Sequence, residues 1–229
     1  RQAKKLKPTD TVMLSTTTDP YAPEAQLHDL GRQCARAVLE NSQASLRVLT
    51  KNKAISKDLD LFAAYRNRVM LGLSVTSPVS KENIVSILEP NASTISERLD
   101  VYREAKSMGI RLFGMLCPLL PGIASSRQDI QDMMQTTLEF NPELIWVEPI
   151  NPRGDCLIKC SEALAANGFK EEAYRVNEIR KHELHQLYVD DLIDDATKAA
   201  RNLGCLEKLR ILVYSNGQEF CCDKTAVVW

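Results

Sequence analysis

Apolar and polar positions along this chain alternate between two rhythms. Short, almost continuously apolar runs occur at Thr11 to Thr17, Ser45 to Thr50, Val69 to Ser74, Arg111 to Cys117, Leu144 to Glu148 and Arg210 to Tyr214. Runs of that length and character read as β-strands buried on both faces, as in a parallel sheet. Between most of them, Ala25 to Asn41, Ser56 to Tyr65, Thr94 to Met108, Ser126 to Phe140 and Lys170 to Gly204 repeat apolar residues at spacings of three and four, the mark of amphipathic helices. Tyr188 to Asn202 is a candidate separate helix within the longest of these. Asp19-Pro20 stops the first strand, and Gly109 supplies a glycine stop after the third helix. Strand followed by helix, repeated, predicts right-handed βαβ units. The expected fold class is α/β, a partial (β/α) TIM-like barrel with parallel strands and a C-terminal helical extension.

Composition narrows this reading without redirecting it. At 229 residues and 44% apolar, the chain can bury one sizeable core, which predicts a single domain over 1–229 with its core at 10–154 and an extension at 155–229. Lysine and arginine (29) balance aspartate and glutamate (30), so no overall basic field advertises a nucleic-acid partner. No apolar run approaches a membrane span, and Arg1 to Pro8 has no signal-peptide apolar segment, so a cytoplasmic location is expected. Seven scattered cysteines suit reduced thiols better than a disulfide framework.

In parallel α/β folds ligands lie beyond the carboxyl ends of the strands, and it is there that this chain places its chemistry. The first strand runs into Ser15-Thr16-Thr17-Thr18-Asp19, the second into Thr50-Lys51-Asn52-Lys53, the third into Ser74-Val75-Thr76-Ser77, and the fifth into Glu148-Pro149-Ile150-Asn151-Pro152-Arg153-Gly154. Gathered on one rim, these residues suit a zwitterionic, hydroxyl-bearing ligand. Lys51 would take a carboxylate, Ser74 a ribose or carboxylate, and Asp19 an amine or a water network. Arg153 is the remaining candidate for anchoring a substrate. The competing reading makes the hydroxyls helix caps, Lys51 a solvated loop lysine and Arg153-Gly154 a turn.

The ordered motifs Ser15 to Tyr21, Leu49-Thr50-Lys51, Leu73-Ser74-Val75-Thr76, Leu88-Glu89-Pro90 with Ser96-Glu97-Arg98-Leu99, Gly109-Ile110 and Pro118 to Gly122 resemble the radical S-adenosylmethionine proteins. The similarity is to the branch of DNA repair photolyases related to spore photoproduct lyase. The resemblance implies a partial (β/α)6 barrel holding a 4Fe-4S cluster and S-adenosylmethionine, whose reductive cleavage yields a 5′-deoxyadenosyl radical. It places Thr16 to Asp19 in the turn beside the methionyl end of the cofactor, Lys51 at its carboxylate and Ser74 as a hydroxyl contact. The implied cofactor-binding set is therefore Thr16, Thr18, Asp19, Lys51 and Ser74. Thr16 stands where the spore photoproduct lyase branch resembles a cysteine hydrogen donor, a departure from that pattern. DNA as a partner is implied by the resemblance alone.

The cluster of that superfamily is held by a Cys-x3-Cys-x2-Cys loop, which leaves one iron open. This sequence has no such triplet; Cys156 and Cys160 read as helix-turn thiols. The expectation is that the first βα unit with its cluster loop is missing and that the 4Fe-4S ligands belong to a longer protein. An uncovered first strand then predicts an apolar sheet edge and self-association. His182-Glu183-Leu184-His185 has the wrong spacing for a metalloprotease helix and reads as a solvated face, Cys221-Cys222 as free thiols, and Trp146 and Phe113 as core. Two functions follow: a radical S-adenosylmethionine enzyme in its full-length form, or a cofactor-binding or regulatory α/β protein without the cluster.

Overall fold

The computed structural model describes residues 2–14, 18–214, 223 and 225–228. In chain order the elements are β1 (Thr11–Leu14), α1 (Pro23–Gln26), α2 (Leu30–Asn41), β2 (Ser45–Thr50), α3 (Leu59–Ala64), β3 (Val69–Ser74), α4 (Glu82–Leu88), α5 (Ile95–Ser107), β4 (Arg111–Leu119), α6 (Arg127–Leu138), β5 (Ile145–Pro149), α7 (Cys156–Ala166), α8 (Lys170–Glu178), α9 (His182–Asn202), β6 (Leu209–Leu212) and β7 (Val227–Val228). The strands form one parallel seven-stranded sheet in the order β1 to β7, the order in which successive βαβ units lay down a barrel wall. The α/β class with parallel strands is as expected.

Backbone contacts divide the chain into two compact units, each assembled from three stretches. The first comprises 1–74, 91–114 and 140–143. Here β1 pairs with β2 from Thr11 opposite Ser45, and β2 with β3 from Leu46 opposite Val69. Every residue of β3 is buried, whereas β2 alternates between half-buried and buried positions. Against these strands pack Ile55, Leu59 and Phe62 from the turn and helix after β2, and Ile95, Leu99 and Tyr102 from α5, all buried. Gly72 makes room for Phe113: a Cβ there would lie 2.4 Å from the ring. Phe140 closes this core by stacking on Tyr102, with ring centroids 5.4 Å apart.

The α5 helix begins at a capping box in which Thr94 Oγ1 accepts from the Glu97 amide (3.2 Å) and the Glu97 carboxylate accepts from the Thr94 amide (3.1 Å). Two of the four orphan N–H groups are thereby satisfied. It ends as expected at Gly109, at φ +70°. The segment expected as one helix from Ala25 is broken into α1 and α2 because Asp29 takes a left-handed φ of +50°.

The second unit comprises 75–90, 115–139 and 144–229. In it β5 pairs with β6 and β6 with β7, both in parallel. The α6 and α9 helices pack together, joined at the surface by Arg127 Nε donating to Asp195 Oδ1 at 2.8 Å. The long C-terminal helical stretch divides at 179–181 into α8 and α9, so Tyr188 lies inside α9 instead of starting it. The short β7 was not legible as a strand. Among the described residues, no helix is long and apolar enough to cross a membrane.

Candidate functional site

In the first unit three strand ends are tied together by hydrogen bonds that run through the predicted site residues. Asp19, just past β1, is half-buried, and its carboxylate accepts from Thr50 Oγ1 (2.6 Å), from the Lys51 amide (2.8 Å) and from the Tyr21 amide (2.9 Å). The last of these is a local turn bond of the kind aspartate makes two residues on. The first two fix the end of β1 to the end of β2. Thr50 in turn accepts from the Asn52 amide at 2.9 Å.

The loop at Lys51 is then held from the other side. Its carbonyl accepts from the Ser93 amide (2.9 Å), while Ser93 Oγ accepts from the Lys53 amide (2.8 Å). The Ser93 carbonyl accepts from Arg98 Nε (2.9 Å), and another nitrogen of the same guanidinium donates to the carbonyl of Ser74 at the end of β3 (2.8 Å). Asp19, Lys51 and Ser74 thus belong to one connected set. Ser74 is 3% exposed, Lys51 half-buried and Thr18 exposed. Thr16 lies outside the described residues.

Arg98 was named in the sequence only as part of a motif, yet it is 1% exposed and central to this arrangement. A physical signal was available. Ile95, Arg98, Leu99 and Tyr102 share one helix face at spacings of three and four, and a cation on an apolar face must find acceptors. Tyr102 follows the same logic, its hydroxyl accepting from the Leu73 amide (2.8 Å) and lying against the carbonyls of Leu73 (2.9 Å) and Phe113 (2.7 Å). Burial raises its pKa well above the usual tyrosine range. Beside the rim, Lys53 pairs with Glu97, and that bond holds the Glu97 carboxyl below its ordinary value. An open cleft of about 610 Å³ lies there, lined by residues that include Lys53, Lys57, Glu97 and Asp100.

The second unit gathers a different chemistry beyond β4, β5 and β6. Glu148 is almost wholly buried and accepts from Cys117 Sγ (3.0 Å) and from the Tyr214 hydroxyl. Burial first, and then the bond to Glu148, raise the Tyr214 phenol above its usual range, with Arg153 acting weakly against them. Tyr188 bridges the same region, donating to the Leu119 carbonyl and accepting from the Ile150 amide. Arg153 itself is exposed; its amide donates to Asn151 Oδ1 at 3.2 Å, and Gly154 follows at φ +63°, so this segment makes a turn whatever else it does.

Cysteine placement bears on metal chemistry. Cys156 opens α7 and donates to the Asn151 carbonyl at 3.1 Å, and Cys160 lies one helical turn on. Cys34 lies on α2, Cys117 on β4 and Cys205 in the turn after α9, and all five are free thiols. Among the described residues no three His, Cys, Asp or Glu side chains converge as a metal site. Cys221-Cys222 lies outside them. His182 is exposed at the start of α9, while His185 Nε2 lies 3.2 Å from the Ile150 carbonyl.

This architecture is similar to a solved structure of a spore photoproduct lyase point mutant, with a TM-score of 0.56 and 15% identity over 94% of this chain and 64% of that one. At that identity the likeness establishes the fold. No family model matches the chain. Among curated sequences, an uncharacterized protein of Acidianus two-tailed virus is 30% identical over 146 residues, 62% of this chain and 47% of its own length. One from Methanocaldococcus jannaschii is 23% identical over 112 residues (49% and 41%), and one from Mycobacterium tuberculosis 26% identical over 125 residues (55% and 36%). The chain spans about half the length of the curated relatives it matches, or less.

Proposed function

We propose that the first unit carries a binding seat for S-adenosylmethionine on a radical S-adenosylmethionine type of fold. The observation that supports this most is the connected set from Asp19 through Lys51 and Ser93 to Arg98 and Ser74, which fixes the carboxyl ends of three parallel strands relative to one another. On this reading Lys51 supplies a cation for the methionyl carboxylate and Ser74 a buried hydroxyl for the ribose or carboxylate. Asp19 organises the loop. Its carboxylate already accepts three hydrogen bonds, which makes it a holder of Lys51 more than a ligand contact.

In an enzyme of this class the bound cofactor supplies a carbon-centred radical. Among the described residues the cysteines do not converge as the three thiolates that a 4Fe-4S cluster requires. A second reading, a cofactor-binding or regulatory protein, uses the same seat without a cluster.

Calorimetric titration tests the seat. Lys51→Ala is expected to weaken S-adenosylmethionine binding by about ten- to a hundred-fold, the loss of a charge-assisted hydrogen bond of about 1.5–3 kcal/mol. Decarboxylated S-adenosylmethionine should bind the native chain weakly and be indifferent to Lys51→Ala, because the partner of the lysine is gone. Equal affinity of the native chain for the two ligands, or none for either, overturns the proposal.

A further inference from the structure

We propose that Arg98 is the positioning residue of this seat, setting the spacing between the Lys51 loop and the end of β3 without touching the ligand. The inference deepens the cofactor reading and rests on it for the ligand alone; the mechanical part stands on geometry.

A guanidinium at 1% exposure is costly to bury, and its place on the apolar face of α5 is one that a leucine or methionine would fill. What an apolar residue could not do is hold two carbonyls at once. Nε takes the carbonyl of Ser93 and a terminal nitrogen takes that of Ser74, so a rigid planar fork spans two segments far apart in sequence. Ser93 then transmits the constraint. Its amide binds the Lys51 carbonyl and its hydroxyl the Lys53 amide, which grips the loop on both sides of Asn52. The α5 helix that carries Arg98 is independently fixed to β3 by Tyr102, one turn further on. Arg98 is therefore mounted on a rigid support, while Lys51 sits on a loop. Without that tether the loop keeps its bonds to Asp19 but loses its registration with Ser74.

Amide hydrogen exchange on the ligand-free chain reads this directly. In Arg98→Lys, whose single ammonium cannot span both carbonyls, the Ser93 and Lys53 amides should exchange about ten-fold faster or more, while the Leu46 amide, bonded to the Arg68 carbonyl in the same unit, keeps its protection. A residue that merely stabilises the fold would accelerate all three together, and that result overturns the proposal. Ser93→Ala keeps the fork in place and serves as the milder variant: the Lys53 amide should lose protection and the Ser93 amide should not.

Binding supplies the second readout. Arg98→Lys should weaken S-adenosylmethionine about ten-fold on its own, yet add little to Lys51→Ala, because both remove the same contact. Additive losses contradict the positioning role. If the native chain binds no S-adenosylmethionine, the cofactor reading fails, and the exchange experiment still decides whether Arg98 registers the loop.

Discussion

Tyr102 shows how much one hydroxyl can carry. Its oxygen satisfies the Leu73 amide and lies against two buried carbonyls of neighbouring strands, so Tyr102→Phe leaves a buried donor without its partner. The expected cost is about 1–3 kcal/mol, read as a lower urea midpoint at unchanged slope. The same burial dictates a pH dependence. The folded phenol titrates above the unfolded value near 10, so the contribution of Tyr102 is fully present below about pH 10 and is lost as pH rises further. Tyr188, also raised by burial, acts in the same direction. Stability measured from neutral to strongly alkaline pH should fall for the native chain and fall less steeply for Tyr102→Phe. In the sequence Tyr102 lies within the helix read from Thr94 to Met108, and nothing marks it as a clamp, because the acceptors are backbone atoms that no residue type advertises. That Lys51, Asp19 and Ser74 lie together at strand ends was legible for the opposite reason, since polar side chains at the ends of apolar runs have few places to go; their role toward a ligand stays a proposal.

At the scale of elements, α5 is the helix whose start is best specified. Thr94→Ala removes one half of the capping box and should cost about 1 kcal/mol by thermal or chemical denaturation. Glu97 adds an acid limb. Its folded carboxyl lies below the ordinary range through its bond to Lys53, so that contribution is present above the unfolded carboxylate value and is lost as pH falls through the folded one. Glu97→Gln should flatten the acid side of the stability profile. In β3, Gly72→Ala forces a methyl group into the ring of Phe113 and should destabilise by about 1–3 kcal/mol, with Phe113→Leu in the same chain restoring part of the loss. The strands and most helices were legible because their periodicities are strong. The break at Asp29 was not, since a left-handed aspartate leaves the apolar spacing of α1 and α2 undisturbed. A separate helix from Tyr188 was legible, but not the place of its start at His182, because no glycine or proline marks the turn at 179–181.

At the scale of the whole molecule, β1 stands first in the sheet order, with Thr11 exposed and Val12, Met13 and Leu14 only half-buried. Among the described residues β1 pairs with β2 alone, and we propose that its other edge is a template for another copy. Sedimentation velocity should show the average mass rising with concentration, and Val12→Lys should suppress that rise; a concentration-independent monomer would count against the expectation. The threading of the chain bears on something else, the order in which a ribosome could deliver the parts. The first unit closes only with 140–143, where Phe140 stacks on Tyr102 and Glu143 pairs with Arg111. Its strands β1 to β3 are therefore made long before the residues that seal them. During that interval the core over β3 has α5 but not the Phe140 ring that closes it, and the nascent chain must cross out of the unit twice, through 75–90 and 115–139, before the unit can be completed. Slow translation through that interval prolongs the time for which an unfinished apolar sheet is offered to chaperones and neighbouring chains.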